Sequence, residues 1–170
     1  MSSSPKYTAL SYAWGERKAS RAILCEDQCI RITLNLYRAL AHLRHPSDPV
    51  DLWADAVCLN QKDDIEKTRQ VRSMRTIFMG AKNVIVWLGP DPRQVAKGVF
   101  QTLSAMATRD FEDPLPLEDI FWRDAERLFT KHWFRRLWCL QEIVLVTEAE
   151  VLWGAEAMSW RILGKTATWI

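Results

Sequence analysis

Two carboxylates stand where a carboxylate is costly. Asp55 lies inside the apolar run VDLWADAVCL (50–59), on the same strand face as Trp53 and Val57. An ionised group there must be hydrogen-bonded or paired. It reads either as a structural Asp tied to loop amides or as a site carboxylate with a perturbed pKa. Glu142 falls in HWFRRLWCLQEIVLV, where a helix over 134–146 puts Trp138 one turn before it and Arg135 two turns before it on one stripe. Leu137, Leu140 and Val144 form the opposite stripe. A Glu in that setting is either a solvated or paired surface group or, beside the aromatic entry His132-Trp133-Phe134, a reactive one. Three polar loops should sit beyond strand ends, where open α/β sheets bind ligands. They are Trp14-Gly15-Glu16, Asn60-Gln61-Lys62-Asp63 and Gly89-Pro90-Asp91. Gly15 serves either a tight turn or a close backbone approach to a ligand.

Other chemistries find no footing. There is no phosphate-binding glycine loop of the GxxxxGK[ST] type, no GxGxxG and no HExxH. Cys25, Cys29, Cys58 and Cys139 lack metal-ligand spacing, and His42, His45 and His132 are not grouped around them. Neither a metal site nor a disulfide framework is expected, which fits a cytoplasmic protein. The net charge of +2 gives no case for nucleic acid. No apolar run reaches the ~20 residues of a membrane span, and the start, MSSSPKYTAL, has no secretory apolar region. Nine Trp against three Tyr must be accounted for by core, site or interface.

The elements that would position these groups alternate short apolar strands with amphipathic helices over a single domain, 1–170, which predicts an α/β fold with a mostly parallel sheet. Strands are expected near 8–14, 52–58, 84–88 and 150–153, with an added hairpin from RAIL and IRI around CEDQC. Thr33 or Asn35 should cap a helix running to Arg44, and Asp63, with Glu66 three residues on, the helix ending at Gly80. Further helices are expected over 93–108 and 119–129. The chain reads as the N-terminal part of a longer protein.

Three blocks in this order resemble the heterokaryon incompatibility (HET) domain: YTALSYAWGE at 7–16, LWADAVCLNQKDDIEKTRQVRSMRTIFMGAKNVIVWLG at 52–89, and WFRRLWCLQEIVLV with VLWG at 133–154. That resemblance implies a cell-death or self/non-self recognition module of filamentous fungi. A more distant one is to Toll/interleukin receptor (TIR) domains, which have a flavodoxin-like fold. SYAWGE stands at their first strand and loop, LWADAV at the second strand and NVIVWL at the third. WCLQEI (138–143) is similar to the WCLxEL helix motif of plant-type TIR domains. The hairpin and the segment 93–130 are additions to that pattern.

The TIR resemblance implies a catalytic role for Glu142 in cleaving the nicotinamide–ribose bond of NAD+, here a substrate rather than a prosthetic group. An anionic group stabilises the oxocarbenium-like ribose, and the leaving nicotinamide is neutral and needs no general acid. Ser11, Tyr12, Trp14, Gly15, Arg135 and Trp138 are the matching candidates to hold the substrate, with Asp55, Asn60 and Gln61 bracing the loops. It also implies homo-oligomers through TIR-like contacts. The alternative is a non-enzymatic module that signals by homotypic assembly alone.

Overall fold

The structure is a computed structural model, and it describes residues 7–15, 20–61, 63–108, 119–136, 139–144, 146 and 148–167. A five-stranded sheet forms its centre. β1 (Thr8–Tyr12) pairs in parallel with β4 (Leu52–Trp53) on one side and β5 (Asn83–Trp87) on the other. β5 pairs in parallel with β6 (Ala149–Trp153), and β7 (Glu156–Ser159) closes the far edge antiparallel to β6. The spatial order is β4-β1-β5-β6-β7. The expected α/β domain with a mostly parallel sheet is what forms.

Side-chain alternation explains the two covered faces. Ala9, Ser11 and Ala13 point to one side and Leu10 and Tyr12 to the other, with period 2. The Leu10/Tyr12 face packs under α1 (Leu34–Leu43), with Ile32, Leu36, Ala39 and Trp87. α2 (Asp55–Cys58) and the hairpin of β2 (Arg21–Cys25) with β3 (Gln28–Ile32) adjoin it. On the opposite face lie α3 (Asp64–Gly80), α4 (Ala96–Ala107), α5 (Asp119–Phe129), α6 (Cys139–Ile143) and α7 (Trp160–Thr166). Here Val86, Leu88, Val151 and Trp153 meet Phe100, Leu103, Leu128, Trp133 and Leu163.

Local signals account for several boundaries. The Thr33 hydroxyl accepts from the Leu36 amide and caps α1, so the cap is Thr33 rather than Asn35. Asp63 Oδ1 accepts from the Ile65 and Glu66 amides and caps α3. The reciprocal bond differs from expectation, because Glu66 receives the Asn60 amide instead of that of Asp63. The hairpin turns through Glu26 and Asp27 at φ 45° and 62°, the double left-handed turn that matches strand twist.

Two expected elements are different. The strand expected over 52–58 ends at Trp53, and Asp55 opens α2 rather than lying within a strand. The helix expected over 134–146 is a 3₁₀ turn, His132–Arg135, followed by the short α6. Arg136 between them is extended, at φ −89° and ψ 124°. Val144 is 63% exposed and forms no core stripe, while Leu137 and Trp138 lie outside the described residues. Among the described residues no helix is long and apolar enough to cross a membrane, and no disulfide joins Cys25, Cys29, Cys58 and Cys139.

Candidate functional site at the carboxyl end of β1

The last residues of β1 hold two carboxylates on opposite faces of the sheet. Ser11 projects toward α6 and donates from its hydroxyl to Glu142 Oε2 at 2.5 Å. Trp133, from the 3₁₀ turn, donates its indole N–H to the same hydroxyl oxygen at 2.6 Å. The Arg136 guanidinium bridges the other side, giving one N–H to the Tyr12 carbonyl and another to Glu142 Oε1 at 3.2 Å. Glu142 is 3% exposed. The expected stripe partner, Arg135, is exposed, and its neighbour Arg136 reaches the carboxylate. A helix through 134–146 would have directed Arg135 along Glu142's stripe. The extended backbone at Arg136 changes which side chain arrives.

Burial raises the Glu142 carboxyl above the ordinary value of 4.5, opposed by the Arg136 charge and the Ser11 hydrogen bond and assisted by the Asp55 charge. The direction fixes the sign of a stability change with pH. The folded state retains a proton that the unfolded state has released, so this contribution is full below 4.5 and is lost as pH rises through the folded pKa. Urea unfolding of the wild type and Glu142→Gln over pH 4 to 8 reads this directly. The wild type should lose stability relative to the Gln variant as pH rises. A relative gain with rising pH would contradict the raised pKa.

On the other face Asp55 draws the strand end and its loop together. Its carboxylate accepts from the Tyr12 hydroxyl at 2.7 Å, the Trp14 indole at 2.9 Å and the Ala56 amide at 2.7 Å. Gln61 donates to the Asp55 carbonyl at 2.9 Å. Asp55 is half-buried, less enclosed than its sequence neighbours suggested, and well satisfied. Burial, followed by the charge of Asp55, pushes the Tyr12 phenol far above its usual range, so it remains a hydrogen-bond donor. Asn60 is exposed and contributes its backbone amide to Glu66.

Between these groups and β6 a cleft of about 680 Å³ opens over the carboxyl ends of β1 and β5. That volume is within the range of small-molecule sites. Ala13, Gly15, Gly89 and Pro90 border its strand ends, with Asn35 and Arg38 from α1 and Lys131, His132 and Trp133 from the turn after α5. The loops at Gly15 and at Gly89-Pro90-Asp91 therefore meet, whereas Asn60, Gln61 and Asp63 are not among the lining residues and Lys62 lies outside the described residues. Gly15 sits at φ +69°, and an added Cβ would be 3.6 Å from Asn35 Cβ, an ordinary contact. Its backbone angle, not space, calls for glycine.

Asn35 is the member sequence reasoning missed. Its amide donates to the Ala13 carbonyl at 2.6 Å and accepts the Trp87 indole N–H at 3.1 Å, clamping β1 to β5. Ser11, Tyr12, Trp14 and Glu142 are not among the cleft-lining residues; Trp133 borders the cleft and contacts Ser11. Trp138, expected as an aromatic wall, lies outside the described residues. Among the described residues no cluster of His, Cys, Asp and Glu could hold a metal ion.

The three sequence blocks converge on this site: β1 and its loop, the strand and turn around Asp55, and the segment that delivers Trp133, Arg136 and Glu142. The sequence model of the heterokaryon incompatibility protein family, HET, matches residues 7–142, through to Glu142 itself. The chain belongs to the HET family. The HET domain is also 28% identical over 205 residues to heterokaryon incompatibility protein 6, OR allele, of Neurospora crassa, a match covering 94% of the chain. It spans 30% of the length of that relative. No solved structure matches it.

Proposed function

We propose that this HET domain serves self/non-self recognition as a cytoplasmic, TIR-like NAD+ hydrolase that acts when self-associated. Family membership supports the recognition role. The strand order supports the TIR-like reading: taking the five strands by their place in the chain, it runs 2-1-3-4-5, the flavodoxin-like order, with an antiparallel final strand. The observation that carries the enzymatic reading is Glu142 itself. A buried carboxylate with a raised pKa is held by Ser11 at the end of β1, next to Trp133 in the wall of a cleft.

In this arrangement the carboxylate is covered by Arg136 and Ser11. The described conformation is the resting one, and self-association displaces Arg136 so that the ionised carboxylate faces the ribose. There it would stabilise the oxocarbenium-like centre as nicotinamide departs with its bonding electrons as a neutral molecule. Water then adds to the ribose, giving ADP-ribose.

One observation favours a second reading. Glu142 is paired with Arg136 and almost wholly buried, which is also how a structural ion pair looks. In that case the domain is a non-enzymatic module working by homotypic assembly. Nicotinamide release from NAD+ by concentrated protein, abolished in a folded Glu142→Gln variant, supports the hydrolase. Release that is absent from both leaves the assembly module, and release equal in both removes Glu142 from the chemistry.

A further inference from the structure

We infer that the cleft carries a diphosphate-binding subsite formed by Arg38, Arg93 and Lys131, and takes a ligand bearing a pyrophosphate. These three residues come from α1, from the loop after β5 and from the turn after α5, and all three line the cleft. The inference concerns the cleft invoked above but rests on charge and geometry, independently of bond cleavage.

The charge balance decides the ligand class. Arg127, a further cation lining the cleft, is neutralised by an ion pair with Asp124. Arg38 and Arg93 are exposed, and neither makes an ion pair or side-chain hydrogen bond among the described residues. Lys131 Nζ lies 4.7 Å above the Trp153 ring and donates to the Pro90 carbonyl at 3.4 Å, which leaves ammonium protons for a ligand. Burial lowers its pKa and nearby Asp91 raises it, so a second anion beside it would hold its charge.

Among the described residues Asp91 is the only acidic one lining the cleft, and it is already occupied. Its Oδ2 accepts the Ala96 amide at 2.8 Å, and Gly154 lets its backbone pack close, since a Cβ there would fall 2.7 Å from Asp91 Cβ. Among the described residues, three cations against this one carboxylate leave two positive charges, the complement of an internal pyrophosphate. Two guanidiniums and an ammonium provide the charge-assisted donors that such an anion needs.

Calorimetric titration of the wild-type domain with ADP, inorganic pyrophosphate and adenosine tests the subsite. ADP should bind and adenosine should bind at least about 100-fold more weakly, because only the former meets the cations. Arg38→Gln and Arg93→Gln should each weaken ADP about tenfold and leave adenosine binding and melting temperature unchanged, since both side chains are exposed. Pyrophosphate binding as tightly as ADP also supports the subsite and assigns the affinity to the phosphates alone. Equal affinity for ADP and adenosine, or ADP binding untouched by both substitutions, overturns it. ADP binding by a protein that never releases nicotinamide upholds the subsite while the hydrolase reading fails. Nicotinamide release without any effect of the two substitutions on ADP binding does the reverse.

Discussion

Glu142→Gln is expected to lower nicotinamide release from NAD+ by about 10²–10³-fold, the usual consequence of removing one preorganised electrostatic stabiliser. Gln keeps the shape, its amide oxygen accepting from Arg136 and its NH2 donating to the Ser11 hydroxyl oxygen, so the fold is retained. It cannot supply the negative charge that an oxocarbenium-like ribose requires. The loss should appear in kcat rather than KM, because the charge matters only as the glycosidic bond breaks. Release measured by chromatography, with melting temperature as the folding control, checks this. A Gln variant turning over like the wild type would remove Glu142 from the chemistry.

Arg136→Met should destabilise the domain by about 2–4 kcal/mol at neutral pH, measured by urea unfolding. Removing one partner of a buried pair leaves the other charge unpaired, typically a penalty of about 3–5 kcal/mol, reduced here because Arg136 is 24% exposed. The Tyr12 carbonyl loses its guanidinium partner as well. The remaining Glu142 can escape by taking a proton, so the penalty should shrink toward pH 4.5. The double variant Arg136→Met/Glu142→Gln should recover much of the loss at neutral pH, with a coupling above about 1 kcal/mol. Additive losses would show that the two side chains act separately. If self-association frees Glu142 by displacing Arg136, the same Met variant, kept at low temperature where it stays folded, should hydrolyse NAD+ at a lower protein concentration than the wild type.

Much of the frame was legible because it is encoded locally. RAIL and IRI have strand alternation around a short polar turn, NVIVWL is an interior strand bounded by Gly89-Pro90, and Thr33 and Asp63 cap the helices that follow them. The misread elements are those set by distant partners. The chain leaves the strand after Trp53 where the Asp55 carboxylate gathers Tyr12, Trp14 and the Ala56 amide. Such a clamp joins residues more than forty positions apart and leaves no periodic trace. The same holds at Arg136, where the Tyr12 carbonyl and Glu142 receive a guanidinium from extended backbone, in a stretch whose apolar spacing reads as continuous helix.

The cleft was legible only as a location. The rule that ligands sit beyond strand carboxyl ends pointed to three loops, of which Trp14-Gly15-Glu16 at Gly15 and Gly89-Pro90-Asp91 meet at the cleft while Asn60, Gln61 and Asp63 lie away from it. Arg38, Arg93 and Lys131 come from three separate elements and form no motif. Asn35 carried one signal: a polar residue in the first turn of α1, on the side that faces the strand ends.

The central claim is that this domain cleaves NAD+ through a carboxylate released by self-association. The most direct measurement is the rate of free nicotinamide formation per protomer, followed over a range of protein concentrations with the oligomeric state recorded in parallel. The rate per protomer should rise steeply with the associated fraction and fall about 10²–10³-fold in Glu142→Gln at every concentration. A fully associated wild-type protein that leaves NAD+ intact would contradict it.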